Sequence, residues 1–192
     1  MTAIVLAGGK ATRMGGSCDK AFLKVGGETI INRQLSALKK LFDEIIIVTN
    51  FIDNYRFLEG VRVIPDVIPG LGPLGGIYSG LLASASRYNF IVACDMPFIS
   101  EALVRYLVKS GHKYDILIPQ IDGKPHPLFV IYSKKCIPVI EKSLKGNRLK
   151  VSSIFPQLKT KFILKGAVKK FDKNMFSLLN INTPDELRRV KK

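Results

Sequence analysis

Arg13 and Lys20 close a glycine-rich turn, Gly8-Gly9-Lys10-Ala11-Thr12-Arg13-Met14-Gly15-Gly16-Ser17-Cys18-Asp19-Lys20, which follows directly on the apolar run Ala3-Ile4-Val5-Leu6. The apolar run reads as a buried strand. Glycines let backbone N–H groups approach a ligand closely, and fixed cations favour an anion. Leu6, Ala7, Gly8 and Gly9 at the corner, with Arg13 and Lys20 beyond it, therefore suit a polyphosphate. The turn is not G-x-G-x-x-G, because its glycines come in adjacent pairs, and it is not G-x-x-x-x-G-K-[ST]. A glycine-rich turn without a ligand has the same composition, so the rest of the chain must decide.

Three more candidates stand where other apolar runs stop. Asp95 follows Asn89-Phe90-Ile91-Val92-Ala93-Cys94. A carboxylate beside bound phosphates suits Mg²⁺, which takes one or two carboxylates and fills its octahedron with water and phosphate oxygens. A turn or helix-capping aspartate is the alternative. Asn50 follows Glu44–Thr49, and Asp66 follows Val61–Pro65. An amide offers a donor and an acceptor, and a carboxylate accepts from the ring N–H and exocyclic amine that guanine presents. Either residue also makes sense as a satisfied loop residue. His126, between two prolines, has no Ser or Cys nucleophile paired with it in a triad; it reads as structural, with a substrate contact as the alternative. His112 reads as a helix C-terminal cap or surface residue, and Cys94 as core.

The elements that must position these residues alternate. Helical spacing runs from Glu28 to Leu41, and a second strand from Glu44 to Thr49. Short helical character precedes a third strand at Val61–Pro65. Pro69 to Gly76 is so dense in proline and glycine that it reads as a shaped loop, with a helix only from Ile77 to about Ser84. A fourth strand ends at Asp95. Ser100 then caps a helix to about Ser110. A strand at Tyr114–Ile118, a turn at Asp122–Pro127 and a strand at Leu128–Tyr132 come next. They are followed by a helix at Ile137–Leu144, a weaker one at Val151–Phe155 and a short strand at Phe162–Leu164. Thr183-Pro184-Asp185-Glu186 forms a capping box that opens a last helix. This order predicts an α/β fold: three layers around a mostly parallel sheet, in a single domain over residues 1–192. Ligands on such sheets bind beyond the carboxyl ends of the strands. The cradle, Asn50, Asp66 and Asp95 all fall on that edge.

Composition narrows the setting. The chain has 192 residues, 47% of them apolar and 23% charged, ordinary for a globular protein. No apolar run reaches the roughly 20 residues of a membrane span. No basic-then-apolar leader is visible, and three scattered cysteines make neither a disulfide framework nor a zinc pattern, so a cytoplasmic setting is expected. The net charge of +15 is uneven: residues 134–192 hold 16 Lys/Arg against 4 Asp/Glu, residues 1–133 only 14 against 11. Such a basic half can attract nucleic acid, anionic lipid or a phosphorylated small molecule. It has no interleaved aromatics for base stacking, which argues against specific nucleic-acid binding.

The motifs together carry a resemblance. Leu6-Ala7-Gly8-Gly9 with Arg13-Met14-Gly15 and Asp19-Lys20, the loop Pro69–Gly76, Cys94-Asp95-Met96-Pro97-Phe98, His126-Pro127-Leu128 and Asn180-Ile181-Asn182-Thr183-Pro184-Asp185-Glu186-Leu187 follow one another in order. In this order and length the chain resembles the molybdenum cofactor guanylyltransferases, a branch of the Rossmann-like, nucleotide-diphospho-sugar-transferase-like nucleotidyltransferases. The resemblance implies transfer of GMP from GTP to the terminal phosphate of molybdopterin, with release of pyrophosphate. It implies that Leu6, Ala7, Gly8 and Gly9 contact the nucleotide, that Lys20, Asn50, Asp66 and Asp95 bind GTP, that Asp95 also holds Mg²⁺, and that Arg13 meets the triphosphate. Residues up to about 110 would form the nucleotide half. The basic half from about 111 would hold the anionic pterin, with Asn180, Asn182 and Arg148 near its phosphate. Proteins that supply the pterin or mature molybdoenzymes would make transient contact. The family spacer between Met14 and Asp19 is shorter than Gly15-Gly16-Ser17-Cys18, so a residue must bulge out for Lys20 to reach the phosphates. The rivals are a relative using CTP or a sugar-phosphate acceptor, a non-catalytic nucleotide-binding module and an RNA-binding protein.

Overall fold

The computed structural model describes residues 1–8 and 20–181. Gly9, Arg13, the Gly15–Cys18 run, Asn182 and the helix expected at Thr183 lie outside the described residues.

The chain opens with β1 (Thr2–Leu6). A short 3-10 turn at Lys20–Phe22 leads into a two-stranded hairpin, β2 (Lys24–Val25) and β3 (Glu28–Thr29), and then α1 (Ile30–Leu38). The helical spacing from Glu28 therefore begins two residues late: Glu28 and Thr29 pair in the hairpin, and the Thr29 hydroxyl caps α1 by accepting from Asn32 N. Next come β4 (Glu44–Val48), a 3-10 turn at Ile52–Tyr55, β5 (Arg62–Ile64), α2 (Gly72–Ala83) and β6 (Tyr88–Ala93). The second half holds α3 (Glu101–Gly111), β7 (Ile116–Ile121), β8 (Lys124–Pro125), β9 (Phe129–Ser133), α4 (Cys136–Lys145), β10 (Thr160–Leu164) and α5 (Lys165–Lys169). Ser100 caps α3 as its sequence suggests, its hydroxyl accepting from Leu103 N, and His112 is the C-cap.

The main sheet runs β10-β7-β9-β6-β1-β4-β5, with β8 paired to β7. It is mostly parallel: β1 pairs in parallel with β4 and β6, β4 with β5, and β7 with β10. The exceptions are β9, antiparallel to both β6 and β7, and the two-residue β8, antiparallel to β7. Their connection explains the reversal. Asp122 (φ 48°) and Gly123 (φ 79°) turn β7 tightly into β8, and no helix intervenes before β9 to carry the chain back for parallel pairing.

Side-chain alternation along the strands builds the three layers. Ala3 and Val5 of β1 face one way, into a core completed by Ile31, Leu35 and Leu38 of α1, Leu103, Val104 and Leu107 of α3 and Val168 of α5. Ile4 and Leu6 face the other way, against Leu74, Ile77 and Leu81 of α2 and Ile140 and Leu144 of α4.

The proline-glycine segment behaves differently from its expected loop. Only Pro69 to Leu71 is irregular; the helix starts at Gly72, with Pro73 in its first turn, where the missing N–H costs nothing. Gly80 lets this helix lie directly on β1. A Cβ there would stand 2.6 Å from Ile4 Cγ2. Gly80→Ala is expected to cost about 1–3 kcal/mol by overpacking. A melting temperature unchanged in a thermal scan would show that the helix has room to move.

Candidate active site

Hydrogen bonds continue one residue past the ends of the central strands. Ala7 N donates to Val48 O (2.9 Å), Thr49 N to Ile64 O (2.9 Å) and Cys94 N to Leu6 O (3.0 Å). The next residues outward, Gly8, Asn50, Asp66 and Asp95, therefore leave the sheet along one edge. This is where β4 and β5 lie to one side of β1 and β6 to the other, the switch point of an α/β sheet.

A cavity of about 530 Å³ opens there, lined by Leu6, Gly8, Val48, Asn50, Phe51, Asp66 and the first turns of α2. Asn50 and Asp66 form a reciprocal pair in its wall. Asn50 Nδ2 donates to Asp66 Oδ2, and Asp66 N donates to Asn50 Oδ1, each at 3.0 Å. Both ends of the Asn50 amide are thus engaged with Asp66, which makes Asn50 the brace and Asp66 the group that can read a ligand. Ser79 on α2 adds a second brace: its hydroxyl accepts from Val67 N (2.9 Å) and lies 3.5 Å from Asp66 Oδ1. Burial raises the Asp66 carboxyl above its ordinary value, and the hydrogen bonds from Asn50 and Ser79 only partly oppose this. Ala7 is buried.

Asp95 sits at the other side of the switch point. The strand before it ends at Ala93, so Cys94 belongs to the turn and is only partly buried. Carbonyls of this turn are held from two directions. Gln34 Nε2, on α1, donates to both Ala93 O and Met96 O at 2.8 Å. Ile181 N donates to Asp95 O at 2.7 Å. The second bond brings exposed Asn180 beside the Asp95 turn. Lys20 opens the 3-10 turn ahead of the hairpin, and its carbonyl accepts from Leu23 N. Asp95, Lys20 and Asn180 do not line the cavity, which is its wall of Asn50 and Asp66 and the mouth of α2.

Among the described residues no group of three or more His, Cys, Asp and Glu gathers into a metal cage. Among the described residues, the β6 side of the switch point offers one half-buried carboxylate, Asp95, whose Oδ1 is shielded from solvent. From the described residues a cation there would gain that one carboxylate, with its other positions open to water and phosphate. That fits Mg²⁺ and does not fit a structural zinc site.

His126 is half-buried away from the cavity lining, and burial lowers its imidazole pKa, which keeps the ring neutral near pH 7. Its backbone ties β7 to β9: His126 N donates to Pro119 O and its carbonyl accepts from Phe129 N. The His112 carbonyl accepts from the Tyr88 hydroxyl at 2.7 Å. Cys136 is a core thiol, pushed up to about 12 chiefly by burial.

Sequence reasoning missed Gln34, Ser79 and Phe51. Gln34 carried a signal: it occupies the apolar stripe of α1, flanked by Ile30, Ile31, Leu35 and Leu38, and a polar residue there needs an internal partner. Ser79 and Phe51 carried none, since each looks like an ordinary helix or loop residue.

A sequence model of the family described as the MobA-like NTP transferase domain matches residues 3–160. The chain is 38% identical over 190 residues to a probable molybdenum cofactor guanylyltransferase of Pelotomaculum thermopropionicum, covering 99% of this chain and 91% of that one. It is 39% identical over 190 residues to one of Clostridium perfringens, covering 96% and 93%. Among solved structures, a molybdopterin-guanine dinucleotide biosynthesis protein A from Archaeoglobus fulgidus superposes with a TM-score of 0.85 at 28% identity, covering 98% of this chain and 96% of that one. With the sheet order, the switch-point cavity and these matches in agreement, the chain belongs to the MobA-like NTP transferases, among the molybdenum cofactor guanylyltransferases.

Proposed function

We propose that this protein transfers GMP from GTP to the terminal phosphate of molybdopterin. An acceptor phosphate oxygen attacks the α-phosphorus, the bond from that phosphorus to the β-bridging oxygen breaks, and pyrophosphate leaves. The observation that carries the guanine assignment is the braced Asp66 carboxylate in the cavity wall. It can accept from both the N1–H and the exocyclic amine of guanine, an acceptor pattern that cytosine and adenine do not match.

The reaction needs no nucleophilic side chain, because the acceptor supplies the nucleophile. What it needs is alignment and neutralised charge. Leu6, Ala7, Gly8 and Gly9 would bring the triphosphate to the end of β1, with Arg13 and Lys20 matching its charge. Asp95 would hold Mg²⁺, which when bound withdraws charge from the phosphates and the leaving pyrophosphate. Asn180 beside the Asp95 turn would meet the acceptor phosphate, with Asn182 and Arg148 contributing. The half from about residue 111 would carry the pterin under the pull of its basic surface. Among the described residues no helix is long and apolar enough to cross a membrane; we place the reaction in the cytoplasm. Hand-over from a pterin-supplying protein and to molybdoenzyme-maturation proteins completes the proposal.

The test is pyrophosphate release from GTP with molybdopterin, with and without Mg²⁺. Release that requires all three is expected. Equal turnover with CTP would overturn the guanine assignment, and turnover with a sugar phosphate in place of the pterin would overturn the acceptor.

A further inference from the structure

We propose that Gln34 is a positioning residue for the Asp95 turn, locking the turn to α1, the helix that follows the hairpin. The role of Asp95 in the reaction rests on the function proposed above; the geometry of Gln34 does not.

Three observations meet at this helix. Gln34 is fully buried, and its single nitrogen donates to two carbonyls, Ala93 O and Met96 O, each at 2.8 Å. Those carbonyls bracket Cys94 and Asp95. The amide orientation is dictated by chemistry, since reversing it would set an oxygen against two carbonyl oxygens. The neighbouring residue grips the same two structures. Arg33 Nη2 donates to Val25 O in the hairpin at 3.1 Å, and its guanidinium lies 5.8 Å from the centre of the Phe98 ring, just past the turn. Finally, Val25, Ile30 and Ile181 form a small separate core with Leu23 and Phe98. Hairpin, Asp95 turn and C-terminal segment thus converge on the first turns of α1.

A purely structural reading has difficulty with the residue type. A leucine or methionine would fill this apolar stripe with no polar group to satisfy, and burying an amide gains little unless its bonds do something. Here they take two carbonyls of a four-residue turn, while Ile181 N takes the Asp95 carbonyl between them. Little of the turn's backbone is then left to move, which fixes the backbone from which the Asp95 carboxylate projects. Residues that orient a metal-binding side chain in this way typically alter metal affinity or activity 10–100-fold when replaced.

The experiment compares the full chain with its Gln34→Met variant, which keeps the volume and removes both donors. Amide hydrogen exchange is read at Met96 and Ile181, whose N–H groups donate to carbonyls of the turn. Exchange at these two is expected to accelerate about tenfold or more, with the sheet amides unchanged. The half-saturating Mg²⁺ concentration for pyrophosphate release should rise about tenfold, with Mg²⁺-free GTP binding within about twofold of the parent. Unchanged exchange at Met96 and Ile181, or equal acceleration throughout α1 and the sheet, overturns the proposal and leaves Gln34 a core residue. If the variant does not fold, the parent decides alone: the Gln34 side-chain amide hydrogens should exchange about 10³-fold more slowly than a free glutamine's, and a free rate overturns the proposal. The exchange data judge Gln34 independently of the reaction. Local acceleration with an unmoved Mg²⁺ response would sink the metal role of Asp95 and leave the positioning role intact.

Discussion

Asp95→Asn is expected to lower turnover by about 10³-fold or more, equivalent to about 4 kcal/mol of lost transition-state stabilisation, with a melting temperature within about 3 °C of the parent. The two halves of this expectation have separate causes. The turn is held by its backbone, through Gln34 Nε2 on Ala93 O and Met96 O and Ile181 N on Asp95 O, and asparagine leaves all of those bonds in place. On the proposed mechanism the chemistry instead depends on the carboxylate charge. An amide has nearly the same shape but cannot neutralise a cation, and a hard divalent ion bound by few protein ligands has little else to hold it. Steady-state pyrophosphate release across a Mg²⁺ titration, beside a thermal scan, measures both. Near-parent turnover at ordinary Mg²⁺ would remove Asp95 from the reaction. A collapse in melting temperature would mean that its buried oxygen serves the fold.

The edge on which Asp95 stands was readable because strand ends are marked twice in such a chain. β-branched runs stop, and a polar residue follows: Val48-Thr49-Asn50, Ile64-Pro65-Asp66, Ala93-Cys94-Asp95. Parallel topology then gathers those ends without further information. The direction of β9 was not readable, because periodicity reports which faces are buried and not which way a strand runs. The start of α2 was hidden for another reason. Proline and glycine usually break helices, but Pro73 sits in the first turn, where the missing N–H has no partner to lose, and Gly76 lies so close to β1 that a Cβ there would stand 3.3 Å from Leu6 Cδ2. Local propensity was overridden by packing against Leu6. Gln34 shows the reverse case. Its type broke the apolar stripe of α1, yet its two acceptors come from a turn some 60 residues away, which no local pattern can identify. Asn50 and Asp66 were legible as candidates but not as a pair; their division into brace and reader appears only once β4 and β5 lie side by side.

That division leads to the sharpest test of specificity, Asp66→Asn. In the parent, the Asp66 carboxylate lines the cavity with acceptor oxygens only, and on the proposed reading guanine supplies two donors to it. Asparagine replaces one acceptor with an NH₂ that faces a donor, so GTP should bind about 10²-fold more weakly, hydrogen bonds to a charged group being worth about 1.5–3 kcal/mol each. ITP, which lacks the exocyclic amine, should be discriminated against by the parent and hardly at all by the variant. Stability should move the opposite way. Burial raises the Asp66 pKa above the ordinary value of an aspartate. A carboxyl with a raised folded-state pKa binds its proton more tightly folded than unfolded. Its contribution to stability is therefore fullest below the unfolded pKa and declines as pH rises through the folded pKa. The parent thus carries a partly desolvated charge at about pH 7 that asparagine does not. The variant should melt at or above the parent temperature there, and the difference should vanish below about pH 3.5. For the same reason, parent affinity for GTP should fall as pH drops through the raised pKa and the acceptor is protonated. Thermal scans at both pH values and competition between GTP and ITP measure the whole set. An unchanged GTP-to-ITP ratio in the variant would mean that another group reads the base. A variant less stable than the parent at neutral pH would mean that the bonds from Asn50 and Ser79 outweigh the burial of the charge.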